Sequence, residues 1–497
     1  MDGNGPTTSM PLIDREHERA RLEELLAAGS PKLVLLFGRR RVGKTYLLTA
    51  LWPREQAFYF TASDTSGVQN RAALVAEFAA WSGQTLAAAD YPTWRTAFRM
   101  LLDYDRAEPT VLVLDEFQYL GGDVAGIAAV ASELNAAWEA RRPKRPRLLV
   151  LAGSAVRTME ALDDAAAPLH GRFDWKRRIA PFDYWDAGLM VPYPDLEDRA
   201  AVFGIFGGMP RYLVEVDRRQ SVAANVARLM MAPDGVVRGQ VETVLLQEQG
   251  LRDTASYGAI LRAIADGRTT LNEIAQLAGL TDDKGFRQKV ARLVDLELVC
   301  QRRNVGAGKT TPFRYHLADP ALRFYYRFVA PIQATLARQD PRAAWRESVR
   351  PHLDAYLGHL FEVMAEQAYF RKQPAMGLPV VVEWGRWEGQ DRQRRSLEID
   401  IVAPLADGRV MTGGVKWNRS PLGAQWLHHH EAMLTRLLHV GVPWAARAAK
   451  PDAPLIFIAA GGFEPGFRAA AAAIRSDIVL WDLKDLYPPD PKRPQGR

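Results

Sequence analysis

Lys32-Leu33-Val34-Leu35-Leu36-Phe37, running directly into Gly38-Arg39-Arg40-Arg41-Val42-Gly43-Lys44-Thr45, decides the fold. The first six residues form a short apolar run that suits a strand buried on both faces. The next eight match G-x-x-x-x-G-K-[ST], and Tyr46-Leu47-Leu48-Thr49-Ala50-Leu51 continues as a helix. Strand, glycine loop and helix in this order form the setting in which that motif cradles phosphate groups. Glycine lets the backbone curl so that successive N–H groups face a β-phosphate at the positive end of the helix. Lys44 would bridge the β- and γ-phosphates, and Thr45 would place its hydroxyl on Mg²⁺. Residues Gly38 to Tyr46 are therefore candidate contacts for ATP with Mg²⁺.

Two further apolar runs lie downstream. Thr110-Val111-Leu112-Val113-Leu114 ends in Asp115-Glu116, and Arg147-Leu148-Leu149-Val150-Leu151-Ala152 ends in Gly153-Ser154. Helical stretches, notably 69–81 and 124–140, separate the runs, and strands alternating with helices predict a parallel α/β sheet. Asp115 is then the expected partner of Mg²⁺, and Glu116 the base that orients the attacking water. Ser154 would stand near the γ-phosphate as a sensing group; capping a following helix is an equally open reading. Arg172, in Leu169-His170-Gly171-Arg172-Phe173, is a candidate for neutralising transition-state charge, in its own chain or a neighbouring copy. A solvated arginine is the competing reading.

The chain has 497 residues, 48% apolar and 25% charged, which suggests about three domains of ordinary globular composition. The expected location is cytoplasmic: no run approaches the ~20 apolar residues of a membrane span, and the start lacks signal-peptide character. The single cysteine, Cys300, excludes an internal disulfide framework. The net charge of +6 permits contact with nucleic acid without establishing it.

The combination of Gly38 to Thr45, Asp115-Glu116-Phe117-Gln118 and Gly153-Ser154 resembles the archaeal-type P-loop ATPases of the AAA+/STAND branch. Leu12-Ile13-Asp14-Arg15-Glu16 is similar to their lead-in segment beside the adenine, which makes Asp14 and Arg15 further candidate nucleotide contacts. Gly207-Gly208-Met209-Pro210-Arg211-Tyr212-Leu213 is similar to an element of their helical lid. The resemblance implies an α/β P-loop domain over 1–190, a helical lid over 191–252, a winged helix over 253–320, a linking helical segment over 321–345, and an α/β PD-(D/E)xK nuclease-like domain over 346–487. The proline-rich 488–497 reads as a disordered tail.

The residues support the winged helix independently. Phe286, Val290, Leu293 and Val294 form one apolar stripe, opposite Lys284, Arg287, Gln288, Lys289 and Arg292. Arg302, Arg303, Lys309 and Arg314 fall in an expected hairpin wing. Lys284, Arg287, Lys289, Arg292, Arg302 and Arg303 are thus candidate contacts for double-stranded DNA. Asp282 and Asp283 at the helix start oppose that reading, and winged helices also dock proteins.

In the C-terminal part, strand-like runs fall at 379–384, 397–403, 409–416 and 454–459. Glu398 and Asp400 share one strand face, Lys416 lies on the next strand, and Glu362 precedes them on a helix. The set resembles the Asp…Glu-x-Lys cluster of nucleases, in which carboxylates bind Mg²⁺ and lysine stabilises the phosphate. The position two before Lys416 should be acidic and is Gly414, so a degenerate site kept for docking is the better expectation. His428-His429-His430 point about 100° apart on a helix and cannot share a metal; a solvated patch is expected.

The reading is a cytoplasmic ATP-hydrolysing switch, with a homo-oligomer, a protein partner or double-stranded DNA as the partner classes and no membrane. Two rivals are a transcription regulator that uses ATP as a ligand, and an ATP-gated nuclease.

Overall fold

Five strands build the N-terminal sheet of the computed structural model: β1 Lys32–Phe37, β2 Ala57–Thr61, β3 Thr110–Asp115, β4 Arg147–Gly153 and β5 Trp175–Arg178. The structure describes residues 13–104, 110–122, 124–140, 147–246, 253–308, 310–391 and 393–487. Every neighbouring pair in the order β2-β3-β4-β1-β5 is parallel. The chain divides into two compact units, Met1–Pro181 and Phe182–Arg497. Leu12, Lys309 and the 488–497 tail lie outside the described residues.

Alternation along the strands shows why the sheet is covered on both sides. Leu33, Leu35, Phe58, Phe60, Leu112, Leu114, Leu149 and Leu151 share a core with Leu74 and Phe78, with Phe98 and Leu101, and with Leu134 and Trp138. Those partners come from the helices Gly67–Ser82, Trp94–Asp103 and Val124–Ala140. The intervening Val34, Leu36, Val111, Val113, Leu148 and Val150 are buried too. Continuous apolar runs are what a parallel sheet between two layers requires. The sequence reading did not single out β2 and β5. The edge strand β5, Trp-Lys-Arg-Arg, is largely exposed and carries no apolar signal.

The second unit opens earlier than the expected boundary at 190. Asp183 and Asp186 pair with Arg371, and the Tyr184 hydroxyl donates to the Leu486 carbonyl at 2.7 Å. These contacts tie residues 183–190 to the C-terminal part of the chain. Gly208 is demanded by close packing: a Cβ there would stand 1.8 Å from the Phe182 carbonyl oxygen. Three helices, Thr254–Ala265, Leu271–Ala278 and Lys284–Asp295, precede a hairpin of β6 Val299–Arg302 and β7 Arg314–Leu317.

A mixed sheet completes the unit, in the order β12-β11-β10-β9-β8. Its strands are β8 Gly385–Gln390, β9 Ser396–Pro404, β10 Val410–Lys416, β11 Leu455–Ala459 and β12 Ile478–Trp481. β9 runs antiparallel to β8 and β10, while β10, β11 and β12 are parallel. The expected strand at 379–384 is corrected: only an isolated bridge, Val381 to Leu405, forms there, and the strand begins at Gly385. Val380 and Val382 are exposed, so the apolar run marks no buried strand. The histidine reading is corrected as well. Leu427, His430, Leu434 and Leu437 lie on one buried stripe of the helix Ala424–Val440. His430 is therefore packed inside, 3.1 Å from the Thr412 hydroxyl, and burial pushes its pKa down to about 3.

Candidate nucleotide-binding site

β1 delivers the loop to the C-terminal edge of the sheet, and the close passage of β5's exit shapes its start. A Cβ at Gly38 would lie 2.2 Å from the Ile179 carbonyl oxygen, so only glycine fits. Gly38 donates to the Gly153 carbonyl at 3.2 Å, which ties the loop to the end of β4. Gly43 takes the left-handed conformation at φ 94° and starts the helix Lys44–Leu51. Lys44 is buried, and its ammonium donates to the carbonyls of Gly38 at 2.7 Å and Arg39 at 3.2 Å. Burial lowers its pKa, while the carboxylates of Glu116 and Asp115 act the other way. A desolvated ammonium held at the loop mouth is suited to receiving a phosphate oxygen.

The second wall is the end of β3. Asp115 is buried; its Oδ2 accepts from the Thr45 hydroxyl at 2.7 Å and its Oδ1 from the Glu116 backbone N–H at 2.9 Å. A hydroxyl and a carboxylate joined in this way form the hard-oxygen donor set that Mg²⁺ prefers. Glu116 turns out of the strand at φ 53°, and its Oε2 accepts from the Ser154 hydroxyl at 2.6 Å and from the Gln118 amide. Ser154 does not cap the following helix, Val156–Glu160, whose N-cap is Ala155. Its hydroxyl belongs to the Glu116 cluster.

Backbone strain concentrates here. Among the described residues, five non-glycine residues have positive φ, and Asp14, Arg41 and Glu116 are three of them. Each costs about 1–3 kcal/mol and persists where packing overrides it, a pattern typical of functional sites. No sequence periodicity signals it. Arg15 is buried and donates to the Ala180 carbonyl at 2.8 Å while pairing with Asp14, so it anchors the lead-in segment. Arg40 reaches the Tyr119 hydroxyl, and Tyr46 is 43% exposed. Val42 is buried, whereas Arg39 and Arg41 are half-buried on the loop. Arg172 is not brought to this cluster; it is exposed and pairs with Glu139 at 2.9 Å. Gln118 was legible only as part of a motif. Its burial and its bond to Glu116 depend on the turn at Phe117–Tyr119.

The candidate DNA face is more committed than its sequence suggests. Phe286, Val290 and Leu293 are buried as the stripe requires. Arg287 pairs with Asp282 at 2.8 Å and Lys289 with Asp253 at 2.7 Å; Lys284 is exposed and Arg292 half-buried. The loop of the β6–β7 hairpin packs on the C-terminal sheet. Asn304 exchanges hydrogen bonds with the Glu388 backbone at 2.7 and 3.2 Å, and Val305 donates to the Arg386 carbonyl at 3.1 Å. Val305 joins the core of that sheet, Arg302 pairs with Glu366, and Arg303 stacks on Phe313. The edge strand β8 is thereby covered, which explains why the hairpin tip is engaged with it.

An arginine stands among the carboxylates that the sequence reading grouped in the C-terminal part. The Arg386 guanidinium lies 3.6 Å from Glu362, 3.4 Å from Glu388 and in contact with Glu398. Asp400 accepts from the Val415 N–H at 3.1 Å, and Lys416 is exposed at the end of β10. Among the described residues no group of three or more His, Cys, Asp or Glu side chains is arranged to hold a metal ion. At Gly414 a Cβ would come 2.7 Å from the Trp426 ring and 3.4 Å from Asp400 Oδ2. Gly414→Glu is thus expected to destabilise the fold by about 1–3 kcal/mol through overpacking and to yield no metal-dependent DNA cleavage. Urea unfolding and a plasmid-nicking assay check it; cleavage that Asp400→Ala abolishes would refute it.

Burial pushes Glu362 up to about 7, outweighing Arg386 beside it. A carboxyl with a raised folded pKa contributes stability below its unfolded value, which is lost as pH rises through 7. Glu362→Gln is therefore expected to melt higher relative to the native chain at pH 8 than at pH 5. An identical difference at both pH values would remove the argument.

Residues 12–216 match a family described as an ATPase domain predominantly from Archaea, and residues 325–432 match a family of archaeal and bacterial proteins of unknown function. An uncharacterized protein of Methanocaldococcus jannaschii is 23% identical over 412 residues, 82% of this chain and 87% of that one. The Walker-type ATPase of Pyrococcus abyssi is 21% identical, with a TM-score of 0.44 over 64% of this chain and 96% of its own. The ORC2 protein of Aeropyrum pernix, in ADPNP–ADP complexes, is 16% identical, with a TM-score of 0.44 over 68% of this chain and 98% of its own. The match over residues 12–216 spans the glycine loop, the Asp115–Glu116 strand end and Ser154. Among the described residues no helix is long and apolar enough to cross a membrane.

Proposed function

We propose that the chain hydrolyses ATP and uses the cycle as a molecular switch. The observation that carries this is Glu116, an oriented carboxylate at the strand end beside the Thr45–Asp115 pair. Lys44 and the loop N–H groups hold the triphosphate, and Thr45 with Asp115 holds Mg²⁺, which supplies charge neutralisation on the phosphates when bound. Glu116 takes a proton as the water oxygen bonds to the γ-phosphorus. The bond to the β–γ bridging oxygen breaks, leaving ADP, phosphate and the transferred proton. Residues 182–252 and the three-helix unit read the nucleotide state as lid and winged helix, and the filled carboxylate cluster serves docking instead of cleavage.

Turnover by the purified chain, with and without double-stranded DNA, tests the proposal. Absence of turnover despite ATP binding would overturn it in favour of the ligand-gated regulator. Stimulation by DNA that Lys284→Ala with Arg287→Ala removes would assign DNA to the exposed helix face. Turnover indifferent to DNA would assign the trigger to a protein partner or a second copy.

A further inference from the structure

We infer that Gln118 is a positioning residue for hydrolysis, fixing the Glu116 carboxylate so that one oxygen is pinned and the other is left for the attacking water. The inference rests on the ATPase reading above. Gln118 sits on the turn Phe117–Tyr119, between two aromatic residues that are themselves buried, so the turn is held rigidly. The residue is only 6% exposed, and its side chain folds back over the strand end. Nε2 donates to Glu116 Oε2 and lies 3.2 Å from the Ser154 hydroxyl, which donates to the same Oε2 at 2.6 Å. Both donors converge on one oxygen. Among the described residues no hydrogen bond goes to Oε1, so that oxygen is available to accept a proton.

Two features separate this from ordinary packing. Gln118 Oε1 is buried with no hydrogen-bond partner, an unfavourable state for a residue whose task is stability alone. Turning the amide over would satisfy nothing, because it would face a carbonyl oxygen against the Glu116 carboxylate. The seat is also prepared by a neighbour: a Cβ at Gly153 would lie 2.5 Å from Gln118 Oε1, so glycine at that position admits the side chain. Gly153 ends β4 and Glu116 follows β3, so only the paired strands bring these groups together.

The test uses the full chain. Gln118→Leu removes the donor at similar volume, and kcat is expected to fall about 10- to 100-fold while the Kd for ATP with Mg²⁺ stays within about threefold. In a Glu116→Gln background, single-turnover rates are expected to show no further loss on adding Gln118→Leu, because both changes act on one group. A merely structural role would lower affinity and melting temperature and cost the same in both backgrounds. Should Gln118→Leu melt early, Gln118→Met keeps the length without the donor and replaces it. Unchanged or faster turnover in a well-folded variant overturns the inference alone. A native chain that does not turn over ATP overturns the ATPase reading and the inference with it.

Discussion

Lys44→Ala is expected to reduce ATP turnover by about 10²- to 10³-fold and to abolish the thermal stabilisation that ATP with Mg²⁺ confers, without lowering the melting temperature of the nucleotide-free chain. The two halves of that expectation have opposite origins. Without nucleotide, Lys44 satisfies itself on the carbonyls of Gly38 and Arg39. Those bonds, and the field of Asp115 and Glu116, are offset by the desolvation that lowers its pKa. Removing the ammonium removes both the bonds and the desolvation, so the free fold changes little. With nucleotide the same ammonium meets phosphate charge in a dry site, where its Coulomb energy is large. A native chain at a ligand concentration of 100 Kd gains about 2.7 kcal/mol, and the variant gains none of it. Thermal melts with and without nucleotide, beside steady-state turnover, decide the matter. A variant that is still stabilised by ATP would place the phosphates elsewhere.

Glu116→Gln separates chemistry from binding. Turnover is expected to fall by about 10²- to 10⁴-fold, the usual contribution of a general base, while ATP still raises the melting temperature. Glutamine keeps the size of the side chain and an oxygen able to accept from Ser154 at the position now 2.6 Å away. It also tolerates the left-handed backbone at φ 53° about as well as glutamate does. What it loses is the capacity to take a proton. Turnover equal to the native rate would remove Glu116 from the mechanism, and loss of the ATP-dependent shift would recast it as a binding residue. Together with Lys44→Ala, this variant discriminates a hydrolysing switch from a protein that only holds ATP.

The legible part of the site lay in contiguous stretches. Gly38 to Thr45 sits between a strand and a helix, and Asp115-Glu116 closes an apolar run. Those local patterns carry their own geometry, because strand and helix fix where the loop and the strand end must point. What was not legible depended on partners distant in sequence. Arg302 and Arg303 read as candidate DNA contacts; that Arg302 pairs with Glu366 and Arg303 stacks on Phe313 depends on partners the local pattern does not name. His430 was expected in a solvated patch because three consecutive histidines diverge around a helix, yet the stripe from Leu427 to Leu437 turns it inward. Glu362, Glu398 and Asp400 read as a degenerate nuclease-like set, and no sequence pattern announced that Arg386, on a strand of weak apolar signal, stands among the carboxylates.

By itself the sequence placed a phosphate-binding pattern after the first buried strand and a carboxylate pair at the end of a later apolar run, predicted a parallel α/β sheet, and showed that Gly414 breaks a nuclease pattern. These follow from short-range periodicity and from residue chemistry at fixed spacing. Only the tertiary structure decided that Ser154 and Gln118 converge on Glu116, that Arg15 anchors to Ala180, and that a guanidinium fills the C-terminal cluster. Each of those joins groups from separate segments. Their meeting depends on strand order and on how loops pack, and neither is written in the local pattern of either segment.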